Sequence, residues 1–209
     1  MTKFSIASDK LVDWSLSGTP LIFDLDDTIY SEREFLFRAY ENISKEIYKN
    51  DWKEAHQFLC NTFNEEGRFR IFDKLLKKYP NDKATINICI EILRSSVFYN
   101  EIKPFEWFLK FLRAHEKTPK IRVITNGNPT QQRNKIKSLN FLNIKMDLEL
   151  ICANESEKKP SIESFYCLKD HRNIHSDIYV GDSAIDRVFC DNLGIRFLHT
   201  KGELTNFEL

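Results

Sequence analysis

The spacing of apolar residues changes twice along the chain. Residues 20–26, Pro-Leu-Ile-Phe-Asp-Leu-Asp, are a short apolar run bounded by proline and by acids, which predicts a buried strand. From Ser31 to about Pro104 the apolar positions recur every three or four residues. The series are Leu36, Tyr40, Ile43 and Ile47; Trp52, Ala55, Leu59 and Phe63; Phe69, Phe72, Leu76 and Tyr79; and Ile86, Ile90, Leu93 and Val97. That period predicts four helices and no strand, with breaks near Asn50-Asp51, at Gly67 and at Pro80-Asn81-Asp82. Beyond Pro104 the pattern alternates. Helices are expected at 105–115, from Pro129 to about Leu139, at 161–169 and at 184–193, and strands at 121–125, 148–152, 178–180 and 195–198. Asn128 stands as an N-cap with Pro129 at the first helical position, and Gly194 closes the last helix.

Strands alternating with helices imply a parallel sheet covered on both faces. The first strand is cut off from the others by about 75 residues of helix. The expected organisation is an α/β core from 1–28 and 104–209, with a helical insertion at 29–103.

Composition narrows the function classes. The 209 residues carry 31 Lys and Arg against 31 Asp and Glu, a formal net charge of zero. A nucleic-acid binder would show a basic excess, so none is expected as partner. No apolar stretch approaches the ~18–20 residues that a membrane span needs, so no membrane partner is expected either. Met1–Pro20 has no basic segment followed by an apolar one, and the five cysteines (Cys60, Cys89, Cys152, Cys167 and Cys190) form no C-x-x-C pair. Together these predict a cytoplasmic protein with buried free thiols. The five histidines show no zinc-ligand spacing. Oligomeric state leaves no mark in the sequence.

In an open α/β sheet the ligand lies outside the carboxyl ends of the strands. Those ends carry Asp24-Leu25-Asp26-Asp27-Thr28, then Thr125-Asn126-Gly127, and then Gly181-Asp182 with Asp186 one turn on; Lys158-Lys159-Pro160 precedes the helix after the third strand. Asp24, Asp26, Asp182 and Asp186 gathered at one rim would repel strongly and need a cation. Carboxylate oxygens without His or Cys favour Mg²⁺ over zinc. Lys159 adds a second positive charge. Thr125 and the backbone N–H groups of Asn126 and Gly127 are placed to receive an oxyanion at a helix N-terminus. An acid cluster, a divalent cation, a lysine and an anion cradle are the parts of a phosphoryl-transfer site. A calcium loop at Asp24 does not fit, because its sixth and twelfth positions would be Ile29 and Phe35 rather than Gly and Glu.

These residues resemble the four motifs of the haloacid dehalogenase (HAD) superfamily. Asp24-Leu-Asp-Asp-Thr28 is similar to the first, Thr125 to the second, Lys159-Pro160 to the third, and Gly181-Asp182 with Asp186 to the fourth, in the family's order from about Leu21 to Thr200. The wider phrases Phe23–Tyr30 and Ile124–Gly127 are similar to the phosphatase branch. The resemblance implies a Rossmann-like core with an inserted, all-helical cap of the C1 type that closes over the site. It implies Asp24 as the nucleophile that forms an aspartyl-phosphate, and Asp26 as general acid and then base, which requires surroundings that let it hold a proton near neutral pH. It implies Mg²⁺ held by Asp24, the backbone carbonyl of Asp26 and Asp182. Thr125, Asn126, Gly127 and Lys159 would grip the phosphoryl group, with Asp186 in support. The dehalogenase branch lacks the acid at Asp26, so the expected activity is a Mg²⁺-dependent phosphomonoesterase acting on a small-molecule phosphate ester such as a sugar, polyol or nucleotide phosphate. A phosphomutase with the same site and a catalytically inactive binding domain are the alternatives.

Overall fold

Five short strands, each buried or half-buried, form one sheet in the computed structural model, which describes residues 4–115, 117–169 and 176–200. They are β1 (Leu21–Phe23), β2 (Lys120–Thr125), β3 (Asp147–Cys152), β4 (Ile178–Gly181) and β5 (Arg196–His199), all parallel, in the order β3-β2-β1-β4-β5. This is the α/β, Rossmann-like core. The central strand β1 is buried throughout, as a parallel strand covered on both faces must be. Ile22 pairs with Arg122 on one side and Tyr179 on the other, so β1 sits between the two strands whose ends carry Thr125 and Gly181.

Alternation along β1 sends neighbouring residues to opposite faces. Phe23 meets Trp107, Phe108 and Phe111 of α6 (Glu106–Arg113), with ring centroids 6.3, 5.4 and 5.6 Å away. Ile22 faces the other way, into a cluster with Ile124, Tyr179, Phe165 of α8 (Glu163–Tyr166), and Phe189 and Cys190 of α9 (Ala184–Leu193). Helix α9 starts at a capping box between Ser183 and Asp186 and ends at Gly194 in the left-handed region. Helix α7 (Pro129–Ser138) starts as expected, with the Asn128 side chain accepting from the Gln131 N–H and Pro129 in the first turn.

Glu32–Phe98 forms a second compact unit; the stretches up to Ser31 and from Tyr99 onward form the first. The second unit holds helices α2 (Glu32–Tyr48), α3 (Trp52–Glu66), α4 (Ile71–Lys78) and α5 (Ile86–Ser95), broken at a 3-10 turn (Lys49–Asp51), at Gly67 and around Pro80. Its aromatics make its own core: Tyr40 contacts Phe37, Phe63 and Phe72.

Several expectations need correction. The insertion is narrower than 29–103: the Ile29 carbonyl accepts from the Phe105 N–H and Ile102 bridges Leu139, tying both flanks to the sheet unit. Strand β1 ends at Phe23 rather than Asp26, because the chain turns at once, with Ile29 N–H donating to the Leu25 carbonyl and Asp27 at φ +52°. Helix α1 (Phe4–Leu16) was not anticipated; Leu11 is buried and the Ser15 hydroxyl lies 2.8 Å from the His115 ring. Helix α8 covers Glu163–Tyr166 only, although Phe165 and Leu168 are both in the core, and 170–175 lies outside the described residues. All five cysteines are free thiols, but Cys167 is exposed rather than buried.

Candidate active site

The carboxyl ends of β1, β2 and β4 hold two separate clusters of buried charge. The first surrounds Lys159, which is 3 % exposed. Its ammonium donates to Asp24 Oδ1 (2.7 Å), Asp186 Oδ1 (2.6 Å), the Tyr179 hydroxyl (2.7 Å) and the Ile124 carbonyl (3.1 Å). Asp186 is held from below by its capping box: its Oδ2 accepts from the Ser183 hydroxyl (2.6 Å) and N–H (3.2 Å). Gly181 permits this approach, because a Cβ there would stand 2.7 Å from Asp186 Oδ2. Carboxylate oxygens of Asp24, Asp182 and Asp186 all lie within 4.8 Å of one another.

Electrostatics mark this cluster as short of positive charge. Burial, with repulsion from Asp186 and Asp26, pushes the Asp24 carboxyl up to about 8 against the pull of Lys159. Burial and the charges of Asp186 and Asp27 push Asp182 up to about 7. Lys159 is raised in turn: burial works against its charge, but two carboxyls in contact outweigh it. The geometry favours an ammonium at Lys159, since four acceptors converge on its one nitrogen. Three oxygen-bearing acids, with no nitrogen or sulfur ligand grouped with them among the described residues, and a deficit of positive charge fit a hard divalent cation such as Mg²⁺.

The second cluster surrounds Asp26. Its Oδ1 accepts from the Tyr30 hydroxyl at 2.7 Å, and its Oδ2 from Lys135 Nζ at 2.6 Å and Gln132 Nε2 at 3.1 Å. Burial works to raise this carboxyl, but the Lys135 ammonium and the three hydrogen bonds more than offset it and hold it below the usual range. The role that the resemblance implies requires this carboxyl to take up a proton near neutral pH, whereas these partners favour its ionised form. Gln132 continues the network to the Thr125 hydroxyl (2.8 Å) and the Asn126 carbonyl (2.9 Å).

The two clusters are joined through the loop after β2. The Asn126 side chain pairs with the Lys159 backbone in both directions: Nδ2 donates to the Lys159 carbonyl (3.0 Å) and Oδ1 accepts from the Lys159 N–H (2.8 Å). Asn126 therefore fixes the loop that delivers Lys159, and Thr125, 1 % exposed, stands beside it. Gly127 departs from expectation. Its N–H donates to Asn154 Oδ1 at 2.9 Å and is already engaged within the protein. Its φ of +129°, and a Cβ position only 3.1 Å from the Gln132 side chain, make glycine the residue that fits.

Tyr179, Gln132, Lys135 and Asn154 escaped the sequence reading. Tyr179 reads as core within an apolar strand. Gln132, Lys135 and Ser138 do carry a signal: they recur every third residue on a helix with few apolar side chains, and they are its buried positions. Burial pushes the Cys60 and Cys89 thiols up to about 11 and raises Cys152 and Cys190 as well, which weakens these four as nucleophiles. Among the described residues no helix is long and apolar enough to cross a membrane.

Comparison with known proteins places this geometry. No curated protein sequence matches the chain. The chain resembles several solved structures. One is a protein provisionally named β-phosphoglucomutase from Thermotoga maritima, at 17 % identity over 87 % of this chain and 84 % of that one, TM-score 0.57. Another is a haloacid dehalogenase-like hydrolase, also provisionally named, from Bacteroides fragilis, at 16 % identity over 90 % of each chain, TM-score 0.54. A third is YfnB of Bacillus subtilis, provisionally named a HAD hydrolase and bound to magnesium, at 16 % identity over 87 % of each, TM-score 0.52. At such identities the likeness is one of fold. The sequence itself is matched over residues 21–200 by the model of one family, and on that ground the chain belongs to the haloacid dehalogenase-like hydrolases.

Proposed function

We propose that the protein is a Mg²⁺-dependent phosphomonoesterase that hydrolyses a small phosphorylated metabolite through an aspartyl-phosphate on Asp24. The observation that supports it best is the second carboxyl, Asp26, held by Tyr30, Gln132 and Lys135 and joined through Gln132 to Thr125. A dehalogenase has no use for such an acid; ester cleavage needs one, because the departing oxygen must take up a proton.

Asp24 and Asp182, with the backbone carbonyl of Asp26 as the resemblance implies, would hold Mg²⁺. Asp186 has both oxygens engaged by Lys159 and Ser183 and serves to orient Lys159. Bound Mg²⁺ would supply positive charge to the phosphoryl oxygens and to Asp24. Lys159 and the Thr125 hydroxyl would grip the same oxygens, and Asp24 Oδ would attack phosphorus as the bond to the leaving oxygen breaks. Asp26, ionised in the free protein, takes up a proton when a negative phosphoryl group arrives beside it, since a like charge favours the neutral acid. It gives that proton to the leaving oxygen. As carboxylate again, it accepts a proton from the water that attacks the aspartyl-phosphate, which frees Asp24 and inorganic phosphate. The helical unit Glu32–Phe98 is inserted between the first and second motifs, where the resemblance puts a C1 cap.

The test is hydrolysis of a generic aryl phosphate followed by a panel of phosphorylated metabolites at several Mg²⁺ concentrations. Turnover is expected to require Mg²⁺, to release phosphate without a bisphosphate activator, and to vanish in Asp24→Asn. Normal turnover by that variant would refute the reading, and a need for a bisphosphate would favour a mutase.

A further inference from the structure

Lys135 is a buried lysine that none of the four motifs explains. It is 2 % exposed on a helix whose other lysine in the last turn, Lys137, reaches solvent. Its ammonium lies 2.6 Å from Asp26 Oδ2, and Asp26 has only a fifth of its side chain exposed. One turn earlier Gln132, 1 % exposed, reaches the same Oδ2. A buried ion pair is a poor device for stability, because desolvation cancels most of the attraction and an apolar pair of similar volume would serve as well or better. Lys159, by contrast, contacts Asp24 and Asp186.

We propose that Lys135, assisted by Gln132, is a positioning residue for proton transfer at Asp26; the proposal rests on the phosphatase reading above. When Asp24 bonds to phosphorus and the ester bond breaks, the leaving oxygen takes the proton of Asp26. A full negative charge then develops on a carboxyl already in contact with a fixed ammonium. That charge is stabilised with little rearrangement, which is the form of electrostatic assistance that a prebuilt site gives best. Tyr30 holds Oδ1, while Lys135 and Gln132 hold Oδ2, so the direction of the carboxyl is fixed from both ends. Gln132 also binds the Thr125 hydroxyl, which ties the aim of the acid to the residue beside the phosphoryl group.

The leaving group provides the test. A dinitrophenolate departs without a proton, whereas an alkoxide does not. With the full-length, Mg²⁺-loaded protein, kcat/KM is measured for a series running from 2,4-dinitrophenyl phosphate to glycerol phosphate, because kcat/KM reports the step in which the leaving group departs. Lys135→Met is expected to lose about 100-fold or more on the alkyl ester and less than about tenfold on the dinitrophenyl ester, in line with the usual worth of general acid catalysis. Lys135→Arg is expected to regain most of the alkyl rate. In an Asp26→Asn background Lys135→Met should change nothing further. If Lys135→Met does not fold, Lys135→Gln, which keeps a neutral donor, gives the same comparison. Equal losses along the series, or none, would overturn the inference while leaving the phosphatase reading intact. A wild-type protein inactive on every ester would overturn that reading and this inference with it.

Discussion

Replacing Asp182 by Asn should stabilise the protein without metal and destabilise it relative to wild type when Mg²⁺ is present. The Asp182 carboxyl resists ionisation until about pH 7 instead of 3.8, because it is buried beside Asp186 and Asp27. Between those pH values the folded chain binds a proton that the unfolded chain has lost, so this group's contribution to stability falls as pH rises through the window. The penalty is fully developed above about pH 7 and absent below 3.8. At about 1.36 kcal/mol per pH unit the ceiling is roughly 4 kcal/mol at pH 8. Asp182 is part-exposed, and solvent screening brings this to on the order of 1–2 kcal/mol. For a chain of this length that is a gain of about 2–8 °C in Tm for Asp182→Asn at pH 8 without divalent cations, shrinking toward zero near pH 4. Mg²⁺ at 100 times its Kd should add about 2.7 kcal/mol to wild type and far less to the variant, reversing their order. Thermal melts at pH 4.5 and 8, in EDTA and in Mg²⁺, measure all four corners. A wild type more stable than Asp182→Asn in EDTA at pH 8, or an equal Mg²⁺ gain in both, would refute the reasoning.

Other substitutions probe neighbouring parts. Lys159→Ala leaves Asp24 and Asp186 buried without a counter-charge and should cost about 3–5 kcal/mol, read by urea denaturation at pH 8. Gly181→Ala places a Cβ 2.7 Å from Asp186 Oδ2 and should cost about 1–3 kcal/mol while lowering aryl phosphate turnover, as the pressure on Asp186 is passed to Lys159. Phe23→Ala empties the space facing Trp107, Phe108 and Phe111 and should cost about 3–5 kcal/mol; a loss under 1 kcal/mol would mean that this face of the sheet repacks.

Much of this architecture is legible in the chain because its elements differ in period. The helices of 32–98 announce themselves by apolar residues every three or four positions, β2 and β4 by short β-branched runs, and β3 by the apolar Leu148, Leu150 and Ile151. Helix α1 does not, since Ser, Asp and Lys interrupt its apolar positions and Leu11 is its one fully buried anchor among the residues with described side chains. Strand β1 is cut short by the local turn in which Ile29 N–H donates to the Leu25 carbonyl, with Asp27 in the left-handed region. At the site, the residues with motif chemistry (Asp24, Asp26, Thr125, Lys159, Asp182 and Asp186) are visible because acids and a lysine at strand ends demand an account. Their partners are less so. Tyr179 contributes a hydroxyl from an apolar strand, and Asn154 occupies the Gly127 N–H, which the sequence leaves open. Lys135 looks like a surface lysine until α7 is seen to bury its polar stripe.

The partition of charge between the two clusters has a consequence for the order of events. Asp26 and Lys135 balance each other, but Asp24, Asp182 and Asp186 share the single ammonium of Lys159. With all three acids ionised, the deficit equals the charge of one divalent cation. Above about pH 8, where Asp24 and Asp182 ionise without metal, an anionic ester approaching the metal-free protein would be repelled by the carboxylates proposed to attack and anchor it. Productive binding in the proposed reaction is therefore sequential, cation before ester, and the apparent affinity for the ester should rise with Mg²⁺ concentration until the acids are neutralised.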